Sequence, residues 1–268
     1  MIAAAELLAA SALPRAEARA LLAQVLSISR ERLVAFPETA VASEAAARFD
    51  ALAARRRSGE PLAYLVGTQE FYGRPFKVSP AVLIPRPDTE TLVEVALACM
   101  RDARSPRVLE LGTGTGCIAI TLKLERPDAI VMATDVSADA LAVARSNACA
   151  LGAGVAFKAS RWFDAIAATE LYDLIVSNPP YVAAEDPHLA DLGHEPALAL
   201  TDGADGLSCL AAIARQAPGH LATQGWLALE HGFDQATAVV ALLRDSGLHD
   251  VQVSRDAAGH ERVTRGRR

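Results

Sequence analysis

A short apolar strand at residues 108–111 runs directly into Gly112-Thr113-Gly114-Thr115-Gly116, and a helix across 118–125 follows. Glycines between a strand and a helix let the backbone turn sharply and approach a ligand at the helix N-terminus. The same texture continues downstream. Strands at 129–134, 155–158, 172–177 and 226–230 alternate with helices at 137–151, 206–216 and 235–246. Such a chain buries a mostly parallel sheet between two helix layers. Two closing runs, 251–254 and 262–264, straddle Ala258-Gly259 and predict an antiparallel hairpin on that sheet.

The first 65 or so residues show none of this alternation. Leu7, Leu8, Leu21, Leu22, Val25 and Leu26 recur near helical spacing, Pro14 opens a helix, and an Ala/Arg-rich helix spans 42–57 before Gly59-Glu60-Pro61. Aromatic and apolar residues around Gly73, Pro75 and Pro80 predict a β-hairpin linker. Asp88, after Pro85-Arg86-Pro87, is a suitable N-cap for a helix from Thr89 to about Met100. The expected organisation is a helical bundle over 1–68, a hairpin linker over 69–84, and an α/β domain over 85–268.

Composition narrows the function classes. The 268 residues are 51% hydrophobic and 22% charged, which is a globular balance. No apolar stretch approaches the roughly 18 residues of a membrane span. The N-terminus lacks the basic start of a secretory signal, so a cytoplasmic protein is expected. Cys99, Cys117, Cys149 and Cys209 form no C-x-x-C pair, and the histidines lack ligand spacing, so no metal site is expected. The formal charge of −6 opposes a surface that must replace counterions along a duplex. Nucleic acid is therefore a disfavoured partner.

The glycine loop alone suits several nucleoside cofactors. The dinucleotide fingerprint G-x-G-x-x-G would need glycine at position 117, where this chain has Cys117. Asp135, at the end of the second strand, is placed to accept hydrogen bonds from ribose hydroxyls, or to cap the helix that begins near Ser137. Trp162 suits packing against an adenine ring, or against the core.

Asn178-Pro179-Pro180-Tyr181 follows the fourth strand directly, in the crevice of the glycine loop. An amide or aromatic amino nitrogen is a poor nucleophile because its lone pair is delocalised. The Asn178 side-chain oxygen and the Pro179 carbonyl can accept its two N–H bonds, orienting the nitrogen and favouring loss of conjugation. The prolines stiffen the loop, and Tyr181 offers a flat face to a planar group. Adenine N6, cytosine N4 and a glutamine amide all satisfy this chemistry.

The whole chain resembles the bacterial peptide chain release factor N5-glutamine methyltransferases. The resemblance rests on Gly59-Glu60-Pro61-Leu62-Ala63-Tyr64, Leu83-Ile84-Pro85-Arg86-Pro87-Asp88-Thr89-Glu90, the glycine loop, Ser177 to Tyr181, Leu229-Glu230-His231-Gly232 and Glu261-Arg262-Val263. It implies a Rossmann-like class I methyltransferase with a seven-stranded sheet, S-adenosylmethionine as cofactor, and a release factor's Gly-Gly-Gln glutamine as substrate. The N-terminal bundle would help to hold that protein, and the enzyme is expected to be monomeric. Gly112, Thr113, Gly114, Thr115, Gly116, Asp135, Trp162 and Asn178 would contact the cofactor. Asn178, Pro179, Pro180 and Tyr181 would hold the glutamine and form the catalytic group. Arg86 and Glu90 would lie near the pocket, unless Arg86 pairs with a local acid. An N6-adenine methyltransferase of DNA or RNA is the alternative. Two positions depart from the family pattern. Arg161 stands where an acid is usual, and Gly193-His194 where an Arg-aromatic pair precedes Glu195-Pro196.

Overall fold

The computed structural model describes residues 1–268, the side chain of Asp191 excepted. The chain divides into two compact units, Met1–Thr68 and Gln69–Arg268. The first contains β1 (Ile2–Ala3), α1 (Ala4–Ala10), α2 (Arg15–Leu26), α3 (Arg30–Ala35), β2 (Ala40–Val41), α4 (Ser43–Arg57) and α5 (Leu62–Val66). Its core gathers the apolar faces of these helices, with Leu21, Leu22, Leu33 and Phe49 almost wholly buried. Ser29 caps α3 by accepting from Arg32 N at 3.2 Å. The helical reading missed one feature, the antiparallel pairing of β1 with β2. Strands of two residues are too short to show alternation in sequence.

A hairpin follows, β3 (Thr68–Phe71) and β4 (Arg74–Lys77), all but its first residue in the second unit. Tyr72 and Gly73 both have positive φ, +52° and +73°, as a two-residue hairpin turn of the primed kind requires. Phe71 and Phe76 meet edge-to-face at 6.1 Å in the core below. After residue 77 the chain continues without a strand to a 3₁₀ turn, Pro87–Thr89, which leads into α6 (Glu90–Cys99). Asp88 therefore caps nothing. Pro87 takes the first position of the turn, where a missing N–H costs little. The Asp88 carboxylate instead faces Arg262 at 3.3 Å. Glu90 likewise does not line the pocket described below; it accepts from Tyr72 N at 2.8 Å and ties the hairpin turn to α6.

The rest alternates: β5 (Arg107–Leu111), α7 (Cys117–Glu125), β6 (Ile130–Asp135), α8 (Ala138–Leu151), β7 (Val155–Ala159), β8 (Tyr172–Ser177), α9 (Ala197–Leu200), α10 (Ser208–His220), β9 (Leu221–Glu230), α11 (Ala236–Asp245), β10 (His249–Arg255) and β11 (Glu261–Arg267). One seven-stranded sheet has the order β10-β11-β9-β8-β5-β6-β7. β9, β8, β5, β6 and β7 run parallel, while β11 and β10 close the edge antiparallel. Successive strand residues feed opposite cores, Val108 with α6 and α7, Leu109 with α10 and α11. Strand order reverses between β5 and β8. Such a switch point leaves a crevice beyond the strands' C-terminal ends. Glu110, Asp135, Ser177 and Glu230 all sit at or near those ends.

Candidate active site

A cavity of about 490 Å³ opens at this crevice. Its walls are residues 112–115 after β5, Asp135, Val136 and Ser137 after β6, Ser160 to Trp162 after β7, and Asn178 and Pro180 after β8. Pro85, Arg86 and Thr89 close one side, and the segment from Pro196 to Asp202 closes another.

The glycine loop is held from beneath. Glu110 is fully buried and accepts from the Thr113 hydroxyl at 2.5 Å and from Ala119 N at 3.1 Å. Burial pushes its carboxyl up to about 8, against the lowering pull of those two hydrogen bonds. From the side, Asn147 donates to the carbonyls of Thr115 at 2.9 Å and Lys77 at 3.0 Å, joining α8, β4 and the loop. Gly112, Thr113, Gly114 and Thr115 line the cavity. Gly116 instead faces the core, where a Cβ would stand 2.9 Å from Ile120 Cδ1 and 3.2 Å from Ala144 Cβ. Packing and its left-handed φ of +81° both require glycine there.

Asp135 bridges two backbone segments. One carboxylate oxygen accepts from Gly114 N and the other from Ser137 N, both at 2.9 Å. The cap of α8 is Ser137, whose hydroxyl accepts from Ala140 N at 3.1 Å. Trp162 has a left-handed φ of +47°, and its ring lies over Gly112. Ser160 builds that turn by donating to Trp162 O and accepting from Ala165 N, each at 3.0 Å. Arg161 also lines the cavity, on its exposed rim.

Asn178 is half-buried, and its Nδ2 donates to the Thr89 hydroxyl at 3.2 Å. Pro179 is buried, and Pro180 lines the cavity beside Asn178. Tyr181 is turned toward the core, its hydroxyl 3.3 Å from Glu230 Oε1. The Thr89 hydroxyl reaches the same oxygen at 3.2 Å. Burial dominates here too and pushes Glu230 up to about 7.

Across the mouth, Glu195 is buried and accepts from Ile84 N at 2.9 Å while pairing with Arg86. Arg86 thus takes the local acid. The backbone of the tetrapeptide is pinned at its far end, where Gln235 Nε2 donates to Tyr181 O at 2.9 Å. Gly206, at φ +80°, lies against the same carbonyl, and a Cβ there would overlap the oxygen. Gly206→Ala is therefore expected to displace Tyr181 and lower kcat about tenfold or more, with unchanged affinity for the ligand of the glycine loop. Steady-state kinetics beside calorimetric binding would check it; full activity would show that the tetrapeptide tolerates the shift.

Residues 1–67 match the family model of the PrmC N-terminal domain, and residues 88–195 that of the methyltransferase small domain. A release factor glutamine methyltransferase of Bordetella pertussis is 53% identical over 263 residues, 97% of this chain and 97% of the relative. Proteins of the same name from Neisseria gonorrhoeae and Escherichia coli are 50% and 44% identical, over 98% and 97% of this chain and 96% and 94% of theirs. This chain belongs to the release factor glutamine methyltransferases. A crystal structure of a methyltransferase from Pyrococcus furiosus has a TM-score of 0.56 at 19% identity, over 80% of this chain and 96% of that one. That likeness speaks for the class I methyltransferase fold.

Relative to the sequence reading, the site of this methyltransferase gains Thr89, Glu230, Asn147 and Gln235. Thr89 and Glu230 stood inside runs that carry the family resemblance, so a signal existed without a role. Asn147 and Gln235 had none, since a single amide on a helix or at its edge looks like any other.

Proposed function

We propose that this enzyme transfers a methyl group from S-adenosylmethionine to the N5 amide of the glutamine in the Gly-Gly-Gln motif of peptide chain release factors. The supporting observation is the Asn178 amide, held through Nδ2 by Thr89 beside the glycine loop of one cavity. The residues present suit the cofactor. Gly114, at φ +54°, has nothing within 4 Å of where a Cβ would stand, so bare backbone meets the ligand. Asp135 lines the same wall and keeps lone pairs for ribose hydroxyls, while Val136 and Trp162 offer apolar surface to a purine. Bound there, S-adenosylmethionine supplies an electrophilic methyl group on a sulfonium.

The protein's own part is to hold a poor nucleophile. Asn178 Oδ1 and the Pro179 carbonyl accept the two N–H bonds of the glutamine amide, which turns its lone pair toward the methyl donor. Pro180 walls the amide in, and Tyr181, anchored at Glu230 and Gln235, fixes the end of the loop. The N-terminal unit helps to bind the protein substrate. Incubation with methyl-labelled S-adenosylmethionine should mark a purified release factor, and replacing the substrate's Gly-Gly-Gln glutamine by alanine should abolish the mark. Label on duplex DNA or RNA instead would transfer the assignment to adenine.

A further inference from the structure

The geometry points to Thr89 and Glu230 as positioning residues that decide which way the Asn178 amide faces. The inference rests on the reading that Asn178 Oδ1 holds the substrate amide. An asparagine amide fits its place equally well either way round, since oxygen and NH2 are nearly isosteric. Only one orientation is useful. With Oδ1 toward the cavity, it accepts an N–H of the glutamine; with Nδ2 there, two donors confront each other.

Proton accounting along the chain of contacts makes the choice. An ionised carboxylate can only accept hydrogen bonds, and a threonine hydroxyl has one proton to give. Thr89 gives that proton to Glu230 Oε1 at 3.2 Å, so toward Asn178 it can only accept. Asn178 must then turn Nδ2 to Thr89, which is the 3.2 Å contact observed. Oδ1 is left for the substrate. Thr89 is 3% exposed and Glu230 1%, so water does not compete for these hydrogen bonds. The Tyr181 hydroxyl converges on Oε1 as well, so one carboxylate oxygen aligns two residues around the substrate.

Protonating Glu230 would undo the arrangement. A carboxylic acid can donate, Thr89 can then swing its proton to Asn178, and the amide is free to turn. The proton that does this sits on Oε1, the oxygen that Thr89 and Tyr181 reach. On Oε2, which has no hydrogen-bond partner, it leaves Oε1 an uncharged acceptor and weakens its hold on the two hydroxyls. Burial holds this carboxyl up to about 7. Several groups face it from the elements packed around it: Asp88 in the 3₁₀ turn, Arg262 on β11, Tyr181 after β8 and Cys117 on α7. Tyr181 and Cys117 are themselves raised by burial, Cys117 to about 12, so both stay neutral near pH 7. Arg262 is raised and stays charged. Two strands away on β5, Glu110 is pushed up to about 8, so the variants must separate its titration from that of Glu230.

The test uses the full-length enzyme with a release factor substrate, measuring kcat from pH 5.5 to 9 and S-adenosylmethionine affinity at pH 8.5. In the wild type, kcat should rise with pH through about 7 as Glu230 ionises. Thr89→Val should lower kcat about 30-fold or more, because the amide loses its director. Thr89→Ser restores the hydroxyl and should recover most of the loss, with the acid limb intact. Glu230→Gln offers both a donor and an acceptor, so it should lower kcat about tenfold at pH 8.5 and abolish the limb. Affinity for S-adenosylmethionine should stay within about 3-fold throughout. Equal kcat in the valine and serine variants, or an acid limb surviving in Glu230→Gln, would overturn the inference. Should either Thr89 variant unfold, the Glu230→Gln pH profile decides alone. A wild type that never labels the release factor would sink the proposed function instead, a result distinct from both.

Discussion

Asn178→Ala is expected to lower kcat for release factor methylation by about 10²–10³-fold, the usual consequence of removing one preorganised partner of a developing charge. The substitution removes Oδ1, the acceptor proposed above to hold one N–H of the glutamine amide. It leaves the Pro179 carbonyl and the prolines in place, so the loop keeps its course. The amide nitrogen is then held at one point and can rotate back into conjugation, where its lone pair is unavailable. With cofactor affinity assigned mainly to the glycine loop and Asp135, as proposed, it should weaken no more than about 5-fold. The distinguishing result is a fall in kcat far larger than the change in binding, read from single-turnover rates beside calorimetry. Turnover within a few-fold of wild type would mean that Asn178 does not hold the reacting group.

The fold was legible because its central strands are buried on both faces. A strand such as β5 then shows as an apolar run, and its ending shows as glycine or a polar residue. Once the strands are parallel, their C-terminal ends must share one edge of the sheet. For that reason sequence alone brings Gly112, Asp135 and Asn178, 23 and 43 residues apart, to one crevice. The hydrogen bonds behind that edge were not legible. Thr89 meets Glu230 across 141 residues and Asn178 across 89, contacts that depend on how α6 lies over the sheet. Asp88 misled for a related reason. Its position before a helix suggested a cap, but the proline-bounded 3₁₀ turn directs its carboxylate to Arg262 on β11. Gly116 adds a demand that the motif did not reveal, since a Cβ there would crowd Ile120 and Ala144.

Asp135→Ala should weaken S-adenosylmethionine binding by about 100-fold or more. The carboxylate accepts from Gly114 N and Ser137 N, so its loss leaves two loop donors without partners in addition to any ribose contact. Hydrogen bonds to a charged acceptor contribute roughly 1.5–3 kcal/mol each, and one such bond to the ligand already accounts for a tenfold to hundredfold change. Relaxation of the Gly114 peptide adds the cost of ordering the loop at each binding event. Stability should change much less. Ser137 caps α8 independently, and the Thr113 N to Thr134 O bond at 2.9 Å still joins the loop to β6. Asp135→Asn keeps only one acceptor oxygen and should fall between wild type and alanine. Calorimetric titration of all three proteins beside their melting temperatures separates the cases. Affinity held within about 3-fold in the alanine variant, with normal melting, would show that Asp135 shapes the loop without touching the ligand, since a lost charged contact cannot be that small.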